Sequence, residues 1–304
     1  MKKLFSLLLL LVIAAGSRAQ LLWKISGNGL AQSSYVVGTY HLAPASFTDS
    51  IAGLKEVLAN CKQVYGELSL QELGDMSKLQ QMQQAMMLPD SVQLKDLFST
   101  EQAATLNAFL KSLLGVDLTT PGAGEQLNRL KPAALSSQLQ IVLYLKAHPD
   151  FDAQKLFDAT LLHSAAQAGK TVGGLETMAF QTRILYGSKT LERQAVELSC
   201  LAEHRAYYED LAERLTAAYF SQDLKAVEDV MNEKMNNACD SSPEEEEALI
   251  YGRNAEWSKK LPTIMHTAAT LVAVGAAHLP GERGLLQLLR KAGFEVTPVT
   301  TTQP

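Results

Sequence analysis

Two Gly-x-x-His tetrapeptides, one near each end of the chain, are the residues whose types and spacing best suit chemistry. They are Gly38-Thr39-Tyr40-His41 and Gly275-Ala276-Ala277-His278, and each follows a β-branched apolar run. A strand that ends in glycine can bring its backbone close to a neighbouring element, and the next side chains project from the carboxyl edge of a sheet, where α/β proteins build their sites. We therefore expect His41 and His278 to meet at one sheet edge and to bind one metal ion together.

Two glutamates end other strand-like segments in the same way. Glu67 follows Val64-Tyr65-Gly66, and we expect it to lie beside His41 as a further metal ligand. A metal ion satisfies a buried carboxylate and two imidazoles together, although a salt bridge to a basic residue would satisfy Glu67 equally well. Glu176 follows Gly173-Gly174-Leu175, and it is a candidate for a second ligand, a general base or a helix N-cap.

Arg253 and Asn254 lie in a helix-like segment shortly before the last apolar strands. An arginine directed into a carboxylate-rich pocket can bind a substrate carboxylate or stabilise an oxyanion, and the competing interpretation is a surface or interhelical ion pair. The chain contains no Gly-x-Ser-x-Gly elbow, Walker loop, His-Glu-x-x-His motif or dinucleotide fingerprint. The histidine pair is therefore the strongest catalytic candidate.

The segments that must position these residues have a sequence pattern that predicts an α/β fold. Residues 20–70 and 268–300 read as strands with short helices between them, and residues 170–176 add one more strand. We expect the N- and C-terminal segments to form one mixed sheet, with residues of about 75–250 inserted as a large helical cap in a single domain spanning residues 20–304. The helices predicted from apolar spacing are Gln93–Leu114, Pro132–Lys146, Ala153–Ala168, Ala179–Leu185, Leu191–Ser221, Leu224–Asn237 and a final one from Glu244 to Leu261.

Residues 1–19 have the pattern of a signal peptide. Lys2 and Lys3 precede the apolar run Leu4–Ala15, and Ser17-Arg18-Ala19 offers small residues for cleavage before Gln20. The apolar run is shorter than the ~20 residues that a spanning helix needs. We therefore expect an exported protein, periplasmic or extracellular, that keeps no stable membrane anchor after cleavage.

Composition and charge exclude several classes of protein. The chain has 304 residues, 47% of them hydrophobic, which is enough for a full core. Its net charge of -5 argues against a nucleic-acid partner and favours a peptide or small-molecule substrate. The three cysteines, Cys61, Cys200 and Cys239, are too few for a disulfide scaffold, but Cys200 and Cys239 lie on segments that can fold back into a disulfide, leaving Cys61 as a buried thiol.

Taken in order, a set of short motifs resembles the TraB/GumN family, which includes the TIKI-type metalloproteases. The resemblance covers nearly all of the chain after residue 19. The motifs are Trp23-Lys24-Ile25, Val36 to His41, Val64 to Leu68, Gly169 to Thr177 followed by Gln181, Gly252 to Trp257, and Val274 to Leu285.

The resemblance implies an α/β core whose two Gly-x-x-His motifs and an acidic residue form a divalent-metal site beneath a helical region. Residue by residue, His41 and His278 match the motif histidines, Glu67 the acidic position, and Arg253 with Asn254 an Arg-Asn pair. Gly252 stands where the family more commonly has glutamate, which leaves any role of that acidic residue unassigned here.

These observations predict a metal-dependent hydrolase, a peptidase or amidase. His41, Glu67 and His278 would hold the cation, Glu176 or Glu67 would accept a proton from water, and Arg253 would stabilise the oxyanion. The resemblance favours manganese or cobalt, and nitrogen and oxygen ligands also permit zinc or iron. The alternatives are a non-catalytic periplasmic protein that binds metal, haem or peptide, and an exported helical interaction module whose sheet site has decayed.

Overall fold

The computed structural model describes residues 20–152 and 155–299. The expected signal peptide at residues 1–19 lies outside these residues, as do the first two residues of the helix expected at Ala153–Ala168 and residue 300 of the last core segment. No helix in the described part of the chain combines the length and the apolar character needed to cross a membrane.

Segments from both ends of the chain form one six-stranded mixed sheet, as predicted, and a strand from the middle of the chain adds to its edge. The strand order is β4-β3-β5-β2-β1-β6. The strands are β1 Leu22–Gly27, β2 Ser34–Thr39, β3 Gln63–Gly66, β4 Thr171–Gly174, β5 Thr270–Gly275 and β6 Phe294–Pro298.

Strand β5 lies at the centre of the parallel part of the sheet. It pairs in parallel with β2 on one side, where Thr39 is level with Gly275, and with β3 on the other, where Tyr65 is level with Val272. Strand β4 continues the parallel arrangement beyond β3, while β1 pairs antiparallel with β2 on one side and with β6 on the other. The carboxyl ends of β2, β3, β4 and β5 therefore meet at one edge of the sheet.

This strand order corrects one expectation about the site. Glu67 was expected beside His41, but β3 and β2 are not neighbours, because β5 lies between them. His278, which follows β5, therefore stands between the strand that leads to Glu67 and the strand that leads to His41.

Helices cover the sheet and form most of the segment between β3 and β5. The α-helices of the described residues are α1 Leu54–Asn60, α2 Leu70–Gly74, α3 Met76–Ala85, α4 Thr100–Leu114, α5 Ala123–Leu127, α6 Pro132–Ala147, α7 Phe157–Gln167, α8 Met178–Gly187, α9 Leu191–Glu203, α10 Arg205–Phe220, α11 Leu224–Met231, α12 Pro243–Glu246, α13 Gly252–Thr267 and α14 Leu285–Lys291.

Two of the predicted helices are divided in the structure. The segment predicted as one helix from Gln93 to Leu114 begins with a short 3₁₀ turn, and α4 starts only after Ser99, which forms a capping box with Gln102. The segment Leu191–Ser221 is broken at His204, whose backbone leaves the helical region between α9 and α10. Apolar spacing continues across both breaks, so periodicity alone could not locate them.

The helix predicted at Leu224–Asn237 ends earlier, at Met231. The carboxylate of Asp240 accepts backbone N–H groups from Met235 and Asn236, and Asn236 adopts a positive φ of 60°. These local hydrogen bonds compete with the helix and turn the chain back on itself.

That turn brings Cys239 to α9. Cys200 and Cys239 form a disulfide with their Cα atoms 5.6 Å apart, and Cys61 is a buried free thiol. The pairing is the one that the sequence left open, but Cys239 lies in a turn rather than on a helix.

The apolar residues form two clusters. One is built on the sheet, from residues such as Val36, Val272 and Trp257, and the other lies among the inserted helices, around Leu106, Leu135 and other residues of α4, α6 and α9. The inserted helices therefore pack on one another through a core of their own.

The inserted helices also touch the sheet edge at which the parallel strands end. The Tyr144 hydroxyl on α6 donates to the Leu42 carbonyl, and Tyr40 packs its ring against Tyr144 and Tyr219. These contacts place α6 and α10 against the segment that follows β2. The helical region thus covers part of the edge that carries the candidate site residues.

Candidate functional site

Arg253 is the centre of a buried polar cluster at the carboxyl edge of the parallel strands. Its Nη2 donates to Glu67 Oε2 at 2.6 Å and to Glu176 Oε2 at 2.9 Å, and its Nε donates to Glu176 Oε1 at 2.9 Å. The side chains of Arg253, Glu67 and Glu176 are only 8%, 12% and 4% exposed. A guanidinium this well buried binds both carboxylates through charge-assisted hydrogen bonds.

A π-helical segment leads directly into Arg253. The helix predicted from Glu244 to Leu261 is unbroken in the structure, but it runs from α12 through a π-helical turn at Glu247–Tyr251 into α13. A Cβ on Gly252 would stand 2.8 Å from the Glu247 carbonyl oxygen, so the wider turn leaves no room for a side chain there. This explains in physical terms why glycine precedes Arg253 in this chain.

Glu176 accepts every hydrogen bond that its side chain makes within the described residues. Besides Arg253, Trp257 Nε1 donates to its Oε1 at 2.9 Å and Gln181 Nε2 donates to its Oε2 at 3.1 Å. The N-cap of α8 is Thr177, whose hydroxyl accepts the Phe180 N–H, so Glu176 is not the N-cap that the sequence allowed. Glu176 instead fixes Arg253 to the end of β4.

Glu67 is also an acceptor only. Its Oε1 accepts the backbone N–H of Gly275 at 2.9 Å, and its Oε2 accepts from Arg253 and from Gln181 Nε2. A Cβ on Gly275 would lie 3.3 Å from that Oε1, which shows how closely the carboxylate approaches β5. Burial acts to raise the pKa of Glu67, but the positive charge of Arg253 and the Gly275 N–H outweigh it and lower the pKa to about 2.

His278 has both ring nitrogens engaged. Asn254 donates its Nδ2 to the Arg283 carbonyl, so its Oδ1 is free to accept from His278 Nδ1 at 2.7 Å. His278 Nε2 is then the unprotonated nitrogen, and it accepts from Arg253 Nη1 at 3.1 Å. Burial, reinforced by the charge of Arg253, lowers the pKa of His278 to about 4. The imidazole is therefore neutral at pH 7.

His41 lies outside this hydrogen-bonded cluster. Its side chain is 73% exposed, and its Nδ1 bonds Asp158 Oδ2 on α7 at 2.8 Å. That carboxylate raises the pKa of His41 to about 9, with a smaller contribution from the charge of Glu67. The structure thus brings Glu67, Glu176 and His278 into contact with Arg253 but leaves His41 paired with a different residue.

The donor atoms suit a divalent cation in their chemistry. In both histidines Nδ1 is held by a side-chain oxygen, which leaves Nε2 as the ligand atom, as in many metal-binding histidines. The buried cluster also carries two carboxylates against one guanidinium, an excess of one negative charge.

Their arrangement does not suit a cation while Arg253 keeps its place. Within residues 20–152 and 155–299, no three His, Cys, Asp or Glu side chains are grouped so that they could hold a metal ion. The guanidinium contacts both Glu67 Oε2 and His278 Nε2, the two atoms that would have to bind the metal.

The sequence interpretation did not assign Gln181, Trp257 and Asp158 to the site. Trp257 lies one helical turn after Arg253 on α13, and Gln181 lies on the first turns of α8 after Glu176, so helical spacing offered a signal for both. Asp158 joins His41 across 117 positions of sequence, and no local pattern indicates that contact. Arg253 itself forms an ion pair, as one alternative expected, but a buried pair with two strand-end carboxylates rather than a surface or interhelical one.

Comparison of the sequence with family profiles shows to which family the chain belongs. The profile of the TraB/PrgY/gumN family matches residues 21–298, nearly the whole chain, so the protein belongs to that family. No curated protein and no solved structure matches the chain significantly.

Proposed function

We propose that this member of the TraB/PrgY/gumN family is an exported, metal-dependent hydrolase that acts on peptide or amide bonds. The observation that carries the proposal is the buried cluster of Glu67, Glu176, Arg253 and His278 at the edge where the parallel strands end. Burying charged side chains costs folding free energy, and clusters of buried charges are often functional sites. This cluster also carries one more negative than positive charge.

A divalent cation, manganese, cobalt, zinc or iron, would be held by Glu67 and His278 together with His41. When bound, such a cation polarises a carbonyl group and makes a bound water acidic. Arg253 must give up its contacts with His278 Nε2 and Glu67 Oε2 for the cation to bind. The contact with His278 is weaker than the bonds that Arg253 Nη2 donates to the two glutamates, because it is 3.1 Å long and its acceptor is a neutral imidazole.

The chain's own residues have distinct roles in this proposal. Asn254 holds the His278 ring so that Nε2 faces the site, and Arg253 Nη1, released from His278, stabilises the developing oxyanion. Glu176 or Glu67, the two carboxylates of the cluster, would accept a proton from water. Asp158 holds His41 Nδ1, which leaves His41 Nε2 as the atom that would bind the cation once it has lost its proton.

Export is part of the proposal, to the periplasm or the extracellular space. The signal-peptide pattern of residues 1–19 supports it. The Cys200–Cys239 disulfide gives separate support, because disulfides persist in oxidising compartments. The net charge of -5 favours a peptide or small-molecule substrate over nucleic acid.

Cleavage of a peptide library by the protein from Gln20 onward tests the proposal. We expect turnover after loading with Mn²⁺, Co²⁺, Zn²⁺ or Fe²⁺, none after chelation, and none in His41→Ala or His278→Ala. His163→Ala, which removes an exposed histidine of α7, is the matched control and should remain active. Bound metal without turnover of any peptide would refute the hydrolase and favour a non-catalytic metal-binding protein.

A further inference from the structure

A pocket separate from the Arg253 cluster lies between α3 and α8. Its volume is about 230 Å³, and its apolar wall is formed by Met82, Met178 and Tyr186. Met178 and Tyr186 are buried, so this side of the pocket is well packed. The polar atoms that face this pocket decide what it can bind.

Two cations at this pocket have no carboxylate partner in the part of the chain that the structure describes. Lys131, half-buried at the start of α6, donates its Nζ to the Tyr186 carbonyl at 3.0 Å. Arg183 stacks its guanidinium over the Phe180 ring at 5.2 Å. Neither forms a salt bridge with any residue that the structure describes, whereas the third cation of the pocket, Lys78, is neutralised by Glu72. The pocket therefore carries unbalanced positive charge.

Thr182 contributes a buried hydroxyl without a partner. The residue is 9% exposed, and its Oγ1 makes no hydrogen bond within the described part of the chain. A threonine inside a helix usually bonds the carbonyl four residues earlier, and Thr182 instead lines the pocket. Leaving a buried hydroxyl unpaired is unfavourable, so an oxygen atom of a ligand at this position would be stabilising.

We propose that this pocket binds a carboxylate attached to a small apolar group. The carboxylate would pair with Lys131 and Arg183 and accept from Thr182, and the apolar group would pack on Met82 and Met178. At ~30 Å³ for each water-sized group, the volume holds roughly seven or eight such groups. A short aliphatic carboxylate has this size and chemistry, and so does the last residue of a peptide that ends in an apolar amino acid.

The proposal goes beyond the hydrolase and does not depend on it. Gln181 points from α8 to Glu67 and Glu176, whereas Thr182, the next residue, lines this pocket. The two sites therefore share a helix but no side chain.

Isothermal titration of the protein from Gln20 onward with hexanoate and with acetyl-valine tests both ligand sources. We expect saturable binding of at least one of them at one site per chain. Hexanamide has the same shape without the charge and should bind about tenfold more weakly or less. Acetate lacks the apolar group and should not bind.

Variants identify the residues. Lys131→Met and Arg183→Met should each weaken binding about tenfold, and Thr182→Val about threefold. Arg183 is exposed, so its variant should fold normally, and Lys24→Met is the matched control that removes an exposed lysine of β1. Equal binding of hexanoate and hexanamide, unchanged affinity in Arg183→Met, or no saturable binding of either carboxylate would overturn the proposal.

Discussion

Removing the guanidinium of Arg253 should destabilise the protein more than removing any exposed arginine. In Arg253→Met, the buried carboxylates of Glu67 and Glu176 lose the guanidinium that pairs with them, while the methionine side chain still fills the space of the arginine methylene groups. Breaking a buried ion pair by removing one partner costs about 3–5 kcal/mol, because the other charge stays buried and uncompensated. We expect a loss of that size in the free energy of unfolding at pH 7.

The pKa of Glu67 gives a second route to the magnitude. Arg253, together with His278, His41 and the Gly275 N–H, lowers it from 4.5 to about 2, and at about 1.4 kcal/mol per pKa unit this is a net effect of roughly 3–4 kcal/mol, to which Arg253 is the largest favourable contributor. Because the folded-state pKa is the lower one, this stabilisation is present above pH 4.5 and is lost as the pH falls toward 2. The difference in stability between wild type and Arg253→Met should therefore be largest near pH 7 and shrink below pH 4.5.

Urea unfolding followed by circular dichroism, at pH 7 and at several values down to pH 3, measures this difference. Arg214→Met is the matched control, because Arg214 also binds two carboxylates but on the exposed surface, and its loss should change stability little. If Arg253→Met were no less stable than Arg214→Met at pH 7, or if its deficit did not depend on pH, the buried cluster would not be held as we describe.

Three further perturbations test neighbouring features. In NMR titrations, Asp158→Asn should bring the pKa of His41 from about 9 down toward 6.5, and an unchanged pKa would contradict the contact between them. Replacing Cys200 and Cys239 by serine should cost about 4 kcal/mol in urea unfolding, because the disulfide closes a loop of 39 residues; insensitivity of the wild type to reductant would argue against the bond. Gly252→Ala should lower the midpoint of thermal unfolding, because its Cβ would stand 2.8 Å from a carbonyl oxygen of the π-helix; a neutral effect would show that this turn can relax.

The sequence predicted the sheet well because its strands are short apolar runs that end in glycine. The apolar run before His41 is strand β2, Ser34–Thr39, and the segments at the two ends of the chain do share the sheet. Strand order was harder, since nothing local shows that β5 lies between β2 and β3. That order determines which of the site residues touch.

The sequence predicted which residues belong to the candidate site better than it predicted how they contact one another. The sequence identified Glu67, Glu176, Arg253 and His278 one at a time, each from its place at a strand or helix end. It could not show that Arg253 binds the other three, because those contacts join positions between 25 and 186 residues apart. For the same reason, the sequence could not show the contact of His41 with Asp158.

The metal content of the protein after equilibrium dialysis against Mn²⁺ tests the proposed site most directly. We predict about one ion per chain in the wild type and in His163→Ala, and none in Glu67→Gln or His278→Ala. Arg253→Met should bind Mn²⁺ more tightly, because the guanidinium no longer occupies the atoms of Glu67 and His278 that the ion needs. A wild-type protein without bound Mn²⁺, or equal metal content in all of these variants, would contradict a metal site at this sheet edge.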